Sequence, residues 1–226
     1  YRRQRQMCIR DSTGTIALLS SGGINGGSGT VLMRAANYAF GGADRTITTT
    51  GVLTIQPDAD ENSFASSFDN QYLNPVSVTG LTLGKSSNAS AITLSRAISL
   101  SGPVSIYGGS IDVNANITAN SGNILLDADT GSTLNQSSTG ILLDDAITIE
   151  TVTSGNLTLI GRSGDTGSGF DGIDASSANT TTLRSAGNLT LQGYSYAASG
   201  SGRGVDLNND VIAASGTVSM LSLIHI

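Results

Sequence analysis

An all-β fold, a parallel β-helix (solenoid) of about ten coils, is what this sequence predicts, and three observations carry it. A short phrase recurs along the chain: Gly, one or two residues, then apolar residues alternating with Thr or Ser. That period of two is the signature of half-buried strands. The intervals between phrases are short, 20 residues from Gly102 to Gly122 and 18 from Gly122 to Gly140, room for three short strands and their corners. No long stretch carries a 3.6-residue period, and Gly, Ser, Thr and Asn occur throughout, which opposes helices.

The two ends do not read like the middle. Residues 1–12, Tyr-Arg-Arg-Gln-Arg-Gln-Met-Cys-Ile-Arg-Asp-Ser, hold four of the ten arginines and the only cysteine, Cys8. Residues 221–226, Leu-Ser-Leu-Ile-His-Ile, hold the only histidine, His225. Both resemble translated sequencing-adapter read-through and are set aside from fold reasoning, leaving residues 13–220 as the repeat region. Across that region basic residues fall from 11 to 7, acidic residues from 17 to 16, and the net charge moves from −6 to −9. Lys85 is then the only lysine, and no cysteine, histidine or tryptophan remains. Such a balance opposes phosphate-backbone binding, so no nucleic-acid partner is expected. The lack of cysteine excludes a disulfide framework and thiolate metal sites. No run of about 18 apolar residues predicts a transmembrane helix.

Gly14-Thr15-Ile16-Ala17-Leu18 and Gly29-Thr30-Val31-Leu32-Met33 are early members of the series, followed by Gly51-Val52-Leu53-Thr54-Ile55. The stiff χ1 of Thr, Val and Ile suits pleated strands. The leading Gly permits a sharp corner at positive φ. Residues 57–75 break the pattern; they hold Asp58, Asp60, Glu61, Phe64, Phe68 and Tyr72 and lack the phrase. They read as an excursion from one corner, with a short helical turn. The phrase returns at Gly80-Leu81-Thr82-Leu83 and Gly102-Pro103-Val104-Ser105-Ile106. Between Gly102 and Gly122, Val104–Ile106, Ile111–Val113 and Asn116–Thr118 make the three sides of one triangular coil. Gly122-Asn123-Ile124-Leu125-Leu126 and Gly140-Ile141-Leu142-Leu143 continue it.

The clearest duplication is Gly155-Asn156-Leu157-Thr158-Leu159 and Gly187-Asn188-Leu189-Thr190-Leu191, before the closing Gly216-Thr217-Val218-Ser219-Met220. Each of the two units carries a Gly/Ser-rich insertion, residues 162–171 and 194–203, that ends before a Gly-(Ile/Val)-Asp strand. One coil cannot bury its apolar side alone, whereas stacked coils bury a continuous stripe. With strands ~4.8 Å apart, ten coils make a rod on the order of 45–50 Å long. A β-sandwich also has short strands and regular turns, but a returning phrase favours the solenoid.

The Gly-Asn-Leu-Thr-Leu phrases, the run from Gly80 to Leu94 and the run from Gly102 to Thr118 resemble the repetitive passenger regions of filamentous-haemagglutinin-like bacterial adhesins. The resemblance covers most of residues 13–220. It implies a right-handed parallel β-helix that leaves the cell through the outer membrane by two-partner or autotransporter secretion. It also implies a place in the secreted or cell-surface fraction, a secretion pore as partner in the full system, and a host or environmental surface, glycans included, as target. The chain reads as a fragment of such a protein, without its secretion cap or membrane barrel.

β-helices also carry polysaccharide-active enzymes, which need clustered carboxylates. Asp127 and Asp144, at matching ends of consecutive strands, with Asp129 and Asp145, are the residues to weigh. With no histidine and no neighbouring Arg or Lys in sequence, they read instead as strand-ending corners, and no enzyme is expected. Gly167-Ser168-Gly169-Phe170-Asp171-Gly172-Ile173 partly matches the Ca²⁺-binding repeat of RTX solenoids. Thr166 replaces the first Gly and the motif stands once, so Asp171 and Asp174 read as a loop rim and no metal or cofactor is expected. Tyr107, Tyr194 and Tyr196 are aromatic contact points. The insertions follow equivalent strands and should stack along one edge. That edge would carry Arg162, Asp165, Phe170, Tyr194, Tyr196 and Arg203, the candidate binding surface.

Overall fold

The computed structural model describes residues 7–18, 23–40, 45–58, 61–128, 138–144, 146–165, 169–175, 180–196, 200–208 and 210–224. They form strands and no helix, and every strand pairing is parallel. The largest face has nine strands: β1 (Met7–Leu18), β3 (Val31–Phe40), β5 (Val52–Gln56), β8 (Gly80–Leu83), β11 (Val104–Gly108), β14 (Ile124–Ala128), β17 (Leu157–Arg162), β20 (Leu189–Ser195) and β23 (Val218–Ile224). The second face takes the strands that follow β5, β8, β11, β14, β17 and β20: β6 (Phe68–Asp69), β9 (Ile92–Leu94), β12 (Ile111–Val113), β15 (Ile141–Leu143), β18 (Ile173–Ala175) and β21 (Val205–Leu207).

The third face takes the strand that precedes them. It runs in two stretches: β2 (Ile24–Gly27), β4 (Arg45–Thr49) and β7 (Leu73–Val76), then β10 (Ile98–Leu100), β13 (Ile117–Ser121), β16 (Thr148–Ser154), β19 (Thr182–Ser185) and β22 (Val211–Ala214). This is a three-sided parallel β-helix, with nine rungs on its longest face.

Register shows why the phrase repeats. Val31, Leu53, Leu81, Val104, Ile124, Leu157, Leu189 and Val218 occupy one column. Met33, Ile55, Leu83, Ile106, Leu126, Leu159, Leu191 and Met220 occupy the next inward column. All but the last member of each column are buried, in one continuous core. Val218 and Met220 are exposed because no rung covers them among the described residues. The intervening Thr and Ser face outward, as the alternation requires.

The asparagine of the phrase locks one rung to the next. The Asn156 N–H donates to Asn123 Oδ1 (2.8 Å), the Asn188 N–H to Asn156 Oδ1 (2.9 Å) and the Thr217 N–H to Asn188 Oδ1 (2.9 Å). The leading glycine has a different reason from the expected one. Gly122 and Gly155 adopt positive φ, 127° and 113°, but the other phrase-leading glycines do not. Gly51, Gly102, Gly187 and Gly216 instead lie in close approach to the rung below. A Cβ on Gly51 would lie 2.2 Å from the Gly29 carbonyl oxygen, and one on Gly102 2.3 Å from that of Thr79.

Residues 57–75 depart from the expected corner excursion. They supply β6 to the second face and β7 to the third, and bury Phe64 and Phe68 at 4% exposure. Lys85 Nζ donates to the Asp58 carbonyl (3.3 Å), and the Phe64 N–H donates to Asn88 Oδ1 (3.2 Å), fixing the connecting loop. Phe64 and Phe68 stack at 5.5 Å, and both meet Tyr38 edge-to-face. At the ends, residues 7–12 lie within β1, and residues 221–224 lie within β23 with their large apolar side chains exposed. Both ends therefore hold strand positions on the outermost rungs.

Candidate functional site

The duplicated phrase sets β17 over β20 residue for residue, from Leu157↔Leu189 to Arg162↔Tyr194. Inward residues of both strands are buried, so Arg162 and Tyr194 face outward in one column. The Arg162 guanidinium carbon lies 5.5 Å from the centre of the Tyr194 ring, a cation–π contact of about 0.5–1 kcal/mol at a partly exposed site. Arg162 Nη1 also donates to Asp127 Oδ1 (3.0 Å) and to the Ala128 carbonyl (3.1 Å) one rung below. Asp127, Arg162 and Tyr194 thus form a ladder over three rungs, with Tyr107 next to Asp127 in register. Burial pushes the Asp127 carboxyl above its usual range, and the hydrogen bond and charge of Arg162 oppose that.

The loops that follow the two strands are tied together. The Ser163 N–H donates to the Tyr194 carbonyl (2.9 Å), and Ser163 Oγ accepts from the Tyr196 N–H (2.9 Å). Ser195 Oγ donates to the Phe170 carbonyl (2.8 Å). The insertions accordingly leave the same corner on successive rungs. Asp165, Phe170 and Tyr196 are half-buried within this edge and Arg203 is exposed. One carboxylate oxygen of Asp165 is buried without a hydrogen bond. Residues 166–168 and 197–199 lie outside the described residues.

Two glycines close the phrase for a geometric reason that composition does not reveal. A Cβ on Gly161 would lie 2.0 Å from the Gly172 carbonyl oxygen, and one on Gly193 1.8 Å from that of Gly204. Each loop returns tightly onto the end of its own strand. The readable signal was the repeated Leu-Thr-Leu-x-Gly.

Below the loops, β18 and β21 pair Ile173↔Val205 and Asp174↔Asp206. Stacked strands therefore stack their carboxylates. Asp171, Asp174 and Asp206 each place an oxygen within 4.8 Å of the others. Asp206 was not among the expected members; it arrives from the second unit of the duplication. Like charges on adjacent strands repel, and the charges of Asp174 and Asp206 add to the burial that pushes the Asp171 carboxyl up. Arg203 offsets this: its guanidinium pairs with Asp206 and its N–H donates to Asp171 Oδ1. Three carboxylates suit a hard cation such as Ca²⁺ in donor type but fall short of its 6–8 ligands.

Of the carboxylates weighed for glycoside chemistry, Asp127 and Asp144 stand on different sides of the coil. Asp127 stands on β14 of the first face, and Asp144 follows β15 on the second. The two strands are consecutive in sequence but belong to different sides of the coil, which corrects the expectation that the pair stacks. Asp129 and Asp145 lie outside the described residues.

No helix among the described residues is long and apolar enough to cross a membrane. No protein family, curated protein or solved structure matches this chain.

Proposed function

We propose that this chain is the rod of a secreted bacterial surface protein, an adhesive scaffold that presents the stacked loops after β17 and β20 to a host or environmental surface. The observation that carries this reading is the Arg162↔Tyr194 register, with both insertions leaving one corner. A rigid stack holds loops at fixed spacing without spending entropy at the moment of contact. Arginine and tyrosine are the side chains that most often dominate binding surfaces. The placement of Asp127 and Asp144 on different sides of the coil removes the carboxylate pair weighed for a polysaccharide-active enzyme.

The test uses beads coated with the chain, offered to immobilised glycans and matrix proteins. Wild-type beads should hold to at least one of these surfaces. Shortening residues 163–171 and 196–203 to Gly-Ser corners should lower retention at least tenfold while the β-sheet circular dichroism persists. Wild-type beads that hold to none of them, or equal retention by the shortened chain, would overturn the reading.

A further inference from the structure

A second place on the rod has the geometry of a small-ligand site. Where β3 runs beyond β5, a cavity of about 220 Å³ opens between Tyr38 and Phe40 on one side and Ser67, Asp69, Gln71 and Tyr72 on the other. Its aromatic wall is held firmly. Tyr38 and Phe40 stack at 6.1 Å, and Phe40 meets Phe68 edge-on at 6.0 Å. The Tyr38 hydroxyl donates to the Gln56 carbonyl (2.8 Å). The polar wall is also preset. Asp69 Oδ1 accepts from the Gln71 N–H (2.9 Å) and Oδ2 from the Ser95 hydroxyl (3.1 Å).

Each oxygen of Asp69 keeps lone-pair capacity for another donor. The Gln71 amide and the Ser67 hydroxyl are exposed and have no side-chain partner among the described residues. We propose that this cavity binds a single neutral pyranose ring, its apolar face on the Tyr38 and Phe40 wall and its vicinal hydroxyls on Asp69, Gln71 and Ser67.

Several considerations select this ligand class. The cavity is smaller than the ~300–1,000 Å³ of pockets for drug-sized molecules, which matches one ring. A purely apolar occupant would strip water from Asp69 without replacing its hydrogen bonds, which opposes binding. An anion meets the Asp69 carboxylate and a chain of net charge −6. A quaternary ammonium satisfies the aromatic rings and Asp69, but leaves the amide and hydroxyl groups unpaired. Sugar hydroxyls engage all of them. The site lies on earlier rungs than the loop edge and does not depend on it.

Saturation-transfer NMR with methyl glucoside, galactoside, mannoside and N-acetylglucosaminide tests the proposal, with tetramethylammonium as a competitor. At least one glycoside should bind with a Kd of about 1 mM, as expected for few contacts. Asp69→Ala and Gln71→Ala should each weaken it severalfold or more at unchanged circular dichroism, and the loop-shortened chain should bind as wild type does. No transfer to any glycoside, transfer unaffected by both substitutions, or displacement by equimolar tetramethylammonium would overturn it.

Discussion

Replacing Leu159 by Ala tests the stacked core at its most constrained point. Leu159 is 0% exposed and lies in register between Leu126 below and Leu191 above. The substitution removes three carbons, about 2.4 kcal/mol at ~0.8 kcal/mol each. The neighbouring rungs are held at their spacing by the backbone ladder, so the space left behind cannot close, and a cavity term is added. The expected loss is about 3–4 kcal/mol, inside the range seen for buried leucines. Equilibrium urea unfolding followed by circular dichroism, with pulse proteolysis as a second probe, measures it. Thr158→Ala, one residue away and facing outward, is the control and should cost under about 1 kcal/mol. A Leu159→Ala loss below about 1 kcal/mol, or an equal loss at Thr158, would refute the register.

Two further outcomes follow from the same structure. Asn156→Ala leaves the Asn188 N–H without its acceptor and should cost about 1 kcal/mol in urea unfolding; Asn156→Asp keeps the acceptor and should recover more than half. Burial is the largest cause of raised carboxyl pKa values at Asp112, Asp127, Asp171 and Asp210, so these four carboxyls bind protons more tightly in the folded chain than in the unfolded one. Stability should then fall as pH rises through the folded-state values and return on acidification: the Tm should climb from pH 7 to 4.5, and Asp171→Asn should flatten that slope, whereas a steady fall in Tm would contradict it.

The parts of this fold legible in the sequence are those that repeat. Leu157, Leu159, Leu189 and Leu191 declared a shared inward stripe because their alternation and spacing recur, and all four are fully buried. That both insertions leave one corner was legible for the same reason. What a sequence of short strands does not reveal is the side of the coil to which each belongs. A three-residue strand such as β15 looks alike on any face, so Asp127 and Asp144 read as neighbours although they stand on different sides.

Ladders between rungs were hidden as well. Asp127 meets Arg162 across 35 residues, and Asp206 joins Asp171 and Asp174 only through the stacking of β18 and β21. The aromatic segment at residues 57–75 lacks the phrase, so periodicity was silent about its two strands and its buried phenylalanines.

The loop corner depends on the stack of rungs, and electron–electron double resonance distances along one outward column measure that stack. In a Cys8→Ser background, spin labels at Thr54 and Thr190 stand five rungs apart, through Thr82, Ser105, Leu125 and Thr158. At ~4.8 Å per rung the separation should be about 24 Å. Moving the second label to Ser219, the next position in the column, should lengthen it to about 29 Å, again at ~4.8 Å per rung. Distances that rise by this fixed step are the result a parallel β-helix predicts. A separation that shortens or stays constant between Thr190 and Ser219 would contradict it.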